Sequence, residues 1–83
     1  MTIKLFSNQC ERCMLVVGLL DAQGIQYEYH DFGTDKGERD LGEEYHKQEL
    51  NVPTDLPLPV ISTGDMIYTG EDCVIAIEEG ELI

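Results

Sequence analysis

The sequence predicts an α/β protein in which a four-stranded mixed sheet is flanked by three helices, in the order β-α-β-α-β-β-α. Three observations lead there. Two strand-like runs bracket an apolar-striped helical stretch in the first third of the chain. A hairpin signal, Thr63-Gly64-Asp65, separates two short β-rich runs. Glycines stand where two helical patterns stop, at Gly24 and Gly80. At 83 residues the chain is expected to form one domain over 1–83, without a linker.

Ile3 to Phe6 reads as the first strand, and Ser7-Asn8-Gln9 as a polar turn. Glu11 to Gln23 reads as a helix. Cys13, Val16, Val17 and Leu20 share one stripe, which Met14, Leu15 and Leu19 widen, so the helix is expected to pack hard against a sheet. Ile25 to Phe32 reads as the second strand, with Ile25, Tyr27 and Tyr29 on one face and Gln26, Glu28 and His30 on a polar face. A connection of this length joins parallel strands.

Gly33 to Gly37 reads as loop and Glu38 to Leu50 as a charged helix with a thin apolar stripe at Leu41, Tyr45 and Leu50. Asn51 to Leu56 is a connector. Pro59 to Ser62 and Met66 to Tyr68 are the two runs joined by the hairpin signal. Glu71 to Glu79 reads as the last helix, with Val74, Ile75 and Ile77 as its apolar positions.

Seventeen acidic residues face five basic ones, a net charge of −12. Such a surface repels nucleic acid and anionic membranes and attracts a basic patch on a protein partner. No apolar run reaches the length of a membrane span, and the N-terminus carries no signal-peptide pattern, so the expected location is cytoplasmic. Three cysteines in a reducing compartment point away from a disulfide scaffold and toward redox chemistry or metal binding.

Cys10-Glu11-Arg12-Cys13 sits where the first strand hands over to the first helix. A helix start offers unpaired N–H groups and a partial positive charge, which favour a thiolate at Cys10. Arg12 supports that thiolate and Glu11 opposes it. The three-residue step puts Cys13 on the same helical face, within reach of a disulfide. Cys10 is then the attacking sulfur and Cys13, on the apolar stripe, the buried resolving one. A structural zinc site needs four ligands, and beyond the pair only Cys73, His30 and His46 are at hand, with no paired spacing. Cys73 reads as a small buried hydrophobe without a role.

A second stretch carries a resemblance. Leu58-Pro59-Val60-Ile61, then Gly64-Asp65, then Tyr68-Thr69-Gly70 resembles the Leu-Pro-Val-Val, Gly-Asp, Trp-Ser-Gly pattern of the glutaredoxin-like redoxins that donate electrons to ribonucleotide reductase. Together with the cysteine pair and the element order, the chain resembles the thioredoxin superfamily, and within it the glutaredoxin-like branch. The resemblance implies a thioredoxin-like fold and a cis proline beside the cysteines, placed at Pro59 in preference to Pro57. It implies that Leu58 offers its backbone to a substrate chain and that Tyr68, Thr69 and Gly70 line the same groove. Asp72 matches an acid that meets glutathione in glutathione-using relatives, but reads equally as a simple N-terminal helix acid. No basic residue precedes Cys10, and Leu58 stands where threonine is common before the cis proline.

The resulting expectation is a monomeric dithiol electron donor that reduces protein disulfides, a ribonucleotide reductase among the candidate substrates. Its reductant would be a thioredoxin-reductase-type flavoenzyme. Its redox group is the Cys10–Cys13 disulfide, with no bound cofactor. Glutathione is the alternative co-substrate. A non-catalytic module holding a metal or iron–sulfur cluster between subunits is the alternative from another class.

Overall fold

A computed structural model describes residues 3–82. Seven elements follow one another as expected: β1 (Lys4–Ser7), α1 (Glu11–Ala22), β2 (Glu28–Asp31), α2 (Asp35–Lys47), β3 (Val60–Ser62), β4 (Ile67–Thr69) and α3 (Glu71–Glu78). The sheet order is β2-β1-β3-β4. β1 and β2 run parallel, with Leu5 opposite Tyr29, while β3 is antiparallel to both β1 and β4. The sheet is therefore mixed.

Alternation along the strands divides the core into two layers. Leu5 and Ile61 pair across β1 and β3 and join Val16 and Leu20 of α1 and Cys73, Ala76 and Ile77 of α3. Their neighbours Phe6 and Val60 point the other way, onto Leu41 and Tyr45 of α2. α1 and α3 thus cover one face and α2 the other. Each fully buried side chain of this kind contributes about 1.5–3 kcal/mol.

The helix ends follow local chemistry. Gly24, at φ +67, closes α1: its N–H donates to the Asp21 carbonyl and the Ile25 N–H to that of Leu20. Gly80 closes α3 the same way, through Ala76 and Ile77. At the end of α2 the left-handed position is taken by Glu49, at φ +58, with the Leu50 N–H on the Tyr45 carbonyl.

Several sequence expectations need correction. β2 is confined to the four residues in register with Lys4–Ser7. Ile25 is instead tied into the cap of α1, although it and Tyr27 still pack on the core. α2 begins at Asp35, not Glu38, because the Thr34 hydroxyl accepts the Gly37 N–H at 3.0 Å and itself donates to the Asp31 carbonyl at 2.8 Å. Gly37 lies inside the helix, buried, where a Cβ would run into the Asp31 carbonyl. α2 stops at Lys47, so Leu50 falls beyond the helix and is half exposed. The broad stripe expected on α1 is narrower: Met14 and Leu15 are 57% and 54% exposed. Ile75 on α3, expected as apolar core, is 48% exposed, and Cys73 and Ala76 are buried instead.

Polar side chains also pack on the α2 side, His30 half-buried and Glu44 buried. His30, expected on a polar face, stacks on Phe6 with ring centroids 4.7 Å apart. Its Nδ1 lies 3.1 Å from Asp40 Oδ2, and its Nε2 lies 2.9 Å from Glu28 Oε1 but off the line a hydrogen bond requires. Glu44 accepts from Lys4 Nζ and Lys47 Nζ, each at 3.1 Å, and from Ser62 Oγ at 2.8 Å. Burial alone would raise its carboxyl, but the hydrogen bonds from Ser62, Lys4 and Lys47 outweigh that and hold it down at about 2. This network bolts α2 to β1 and β3.

Candidate active site

β1 ends at Ser7, and two exposed residues, Asn8 and Gln9, carry the chain to the start of α1. Gln9 adopts φ +65, unusual for a residue with a side chain, and this turn delivers Cys10 to the helix N-cap. Cap residues commonly satisfy a free N–H with a side-chain oxygen. Here the acceptor is sulfur: the Cys13 N–H donates to Cys10 Sγ at 3.1 Å. The Cys10 carbonyl accepts the first helical bond, from Met14 N–H at 2.9 Å.

Cys10 and Cys13 are joined by a disulfide, with Cα atoms 4.9 Å apart. Their environments differ. Cys10 is half-buried at the mouth of the helix, whereas Cys13 is fully buried beneath it. Asn8 Oδ1 stands 3.8 Å from Cys13 Sγ, a distance at which a reduced Cys13 thiol finds an acceptor. Partial positive charge at the helix start favours a thiolate at Cys10 when the pair is reduced.

Across the sheet, Phe6 pairs with Val60, so the segment before β3 runs beside the end of β1. The Leu58–Pro59 peptide is cis, and the Leu56–Pro57 peptide is not. The Pro59 carbonyl is held twice: by the Gly70 N–H at 2.9 Å and by Cys73 Sγ at 3.3 Å. Leu58 itself is half-buried against the α2-side cluster, and among the described residues no backbone hydrogen bond is seen on it.

Gly70 is the joint. It ends β4, caps α3 without a side chain, and adopts φ +55, ψ −125, which suits glycine alone. A Cβ there would stand 3.1 Å from Pro57 Cβ and 3.2 Å from an Arg12 guanidinium nitrogen. Arg12 lies between the two cysteines in sequence, so this contact brings the cysteine loop, the proline segment and the start of α3 together. The chain matches no protein-family model, no curated protein and no solved structure.

The other candidate residues lie on β4 and at the start of α3. Thr69 is half-buried and pairs with Val60. Tyr68, half-buried, pairs with Ile61 and packs against the cluster under α1 and α3. Asp72 is exposed in the first turn of α3. Cys73 is buried, its Sγ 3.3 Å from the carbonyls of both Pro59 and Tyr68, and burial pushes its thiol up to about 12. It is therefore a fixed, protonated support behind Pro59, a contact that sequence reasoning missed because nothing in the sequence reports which carbonyl a lone cysteine faces. Among the described residues no three His, Cys, Asp or Glu side chains cluster to hold a metal ion. No helix among them is long and apolar enough to cross a membrane.

Proposed function

We propose that this chain is a thiol–disulfide oxidoreductase of the thioredoxin-like, glutaredoxin-like redoxin kind, a dithiol electron donor to protein disulfides. The observation that carries the reading is the unequal pair: one sulfur capping a helix at its open end, the other bonded to it one turn deeper and sealed from solvent.

The reaction starts from the reduced pair. Cys10 thiolate attacks one sulfur of the substrate disulfide. A Cys10–substrate bond forms, the substrate S–S bond breaks, and the released sulfur leaves as a thiolate that takes up a proton. Cys13 then gives up its proton and attacks Cys10 Sγ, forming the Cys10–Cys13 disulfide and expelling the second substrate sulfur, which is protonated in turn. Two electrons and two protons have passed to the substrate. Burial of Cys13 confines it to the second step. The segment at Leu58, with an unbonded backbone, supports strand-like pairing with the substrate chain, and Gly70 lets Pro57 and Arg12 close in beside it.

Within this reading the substrate is a protein disulfide such as that of a ribonucleotide reductase, the compartment is the cytoplasm, and a thioredoxin-reductase-type flavoenzyme restores the dithiol. Insulin reduction coupled to such a flavoenzyme and NADPH tests it. Activity in the wild type, lost in Cys10→Ser, is expected. Inactive wild type, or full activity in Cys10→Ser, ends the reading. Glutathione is the second reductant to weigh, because the Arg12 guanidinium beside Gly70 offers this site a cation for an anionic peptide. Deglutathionylation that survives Cys13→Ser marks that route, which needs only the first thiol.

A further inference from the structure

Beside the cysteine loop, on the outer surface of α1 and α3, runs a groove of about 270 Å³ lined by Arg12, Leu15, Glu71, Val74 and Ile75. Two of its apolar side chains are open to solvent, Leu15 at 54% and Ile75 at 48% exposed, while Val74 packs partly on the core; Met14, beside Leu15 in sequence, is 57% exposed. Nothing in the packing of the sheet requires large apolar residues there, because α1 and α3 already bury Val16, Leu20, Ala76 and Ile77. Contiguous exposed apolar surface with a polar rim marks an interaction site.

The charges are divided between the layers. Four of the five basic residues lie on the α2 side: Lys4 and Lys47 on Glu44, Lys36 beside Asp40, and Arg39 on α2 itself. α1 and α3 carry exposed Glu11, Asp21, Glu71, Asp72 and Glu78 against the single cation Arg12. An apolar groove set in that negative field complements an apolar segment flanked by basic residues and disfavours an acidic one.

We propose that this groove docks a lysine- or arginine-flanked apolar segment of the substrate protein next to its disulfide, and so selects which disulfides reach Cys10. The proposal rests on the exchange reading above and adds a specificity surface to it. Docking along α1 and α3 is separate from backbone pairing at Leu58, which packs against the α2-side cluster and does not line the groove.

The test uses two synthetic peptides, each with one cysteine capped as a mixed disulfide with 2-mercaptoethanol and followed by a Leu-Leu pair. One peptide flanks the leucines with lysines, the other with glutamates. Hydroxyethyl disulfide, small and neutral, is the reference substrate. Rates of reduction by the reduced protein are expected to favour the lysine peptide about tenfold or more at low salt, a preference that shrinks in about 0.5 M salt. Ile75→Ser and Leu15→Ser should each lower the lysine-peptide rate several-fold when expressed relative to the same variant's hydroxyethyl disulfide rate. Asp72→Lys should erode the preference more than Glu43→Lys, which makes the same change in net charge on α2. Equal peptide rates, or equal effects of the two charge reversals, with hydroxyethyl disulfide still reduced, overturn the groove and leave the exchange reading standing. Failure to reduce hydroxyethyl disulfide at all ends both. A concentration-dependent dimer abolished by Ile75→Ser would give the groove to a second copy and likewise overturn the proposal.

Discussion

Replacing Glu44 by Gln removes the charge at the centre of the α2 tie while keeping the size of the side chain. Glu44 is 4% exposed and takes three donated hydrogen bonds, from Ser62, Lys4 and Lys47. Its carboxyl falls from the ordinary 4.5 to about 2. That gap converts to about 3 kcal/mol of folding stability, and because Lys47 is 63% exposed its share is screened, leaving about 2–3 kcal/mol. A lowered folded-state pKa places this stability at pH values above 4.5, and it disappears as the pH falls through about 2. Urea unfolding of wild type and Glu44→Gln, followed by circular dichroism from pH 7 down to pH 2, reads the difference directly. The many other acids titrate in both proteins, so their contribution cancels in the comparison. The variant should be less stable by about 2–3 kcal/mol at pH 7, and the two curves should converge toward pH 2. Parallel curves across that range would show that the ion pairs around Glu44 contribute nothing net, and the account of how α2 is held would be wrong.

Gly70→Ala is expected to cost about 2–4 kcal/mol, from the disallowed backbone angle and the crowding against Pro57 and Arg12, and to lower disulfide-exchange activity in the folded fraction; wild-type stability in a melting experiment would contradict this. Cys73, buried and pushed up to about 12, should not react with a thiol reagent at pH 8 in the oxidised native protein and should yield one thiol on unfolding in guanidinium. Because burial raises that thiol, its contribution to stability is intact below pH 9 and declines as the pH climbs toward 12, a loss that Cys73→Ala should not show. Glu49→Gly should raise stability by about 0.5–1 kcal/mol by relieving the left-handed angle at the end of α2; an unchanged unfolding midpoint would count against strain at that position.

Most of the architecture was legible because it was written in short-range chemistry. Gly24 and Gly80 end helices since a left-handed residue is needed there, and Thr63-Gly64-Asp65 turns the hairpin, with the Thr63 N–H on the Met66 carbonyl at 3.0 Å. The cysteine pair was visible from spacing and from its place between strand and helix. What escaped depends on neighbours distant in sequence. Gly37 reads as loop, yet the Thr34 cap starts α2 before it, and the close Asp31 backbone leaves space there for glycine alone. His30 reads as a polar-face residue, yet it stacks on Phe6 of the neighbouring strand, and Glu44, off the expected apolar stripe of α2, is buried because Ser62 and Lys4 meet it. Met14, Leu15 and Ile75 fit helical stripes, and periodicity alone does not tell how far around a helix its neighbours reach.

The two helical layers are held to the sheet by different means, and that sets the order in which the molecule comes apart. Beneath α1 and α3 the contacts are almost wholly apolar, whereas α2 leans on a carboxylate and its cations. Strong acid, near the pH of about 2 at which Glu44 takes up its proton, therefore loosens the rear of the molecule before the front. Amide exchange should quicken in α2 while α1, with its sulfurs, is still protected, so the reactive end outlasts the scaffold behind it.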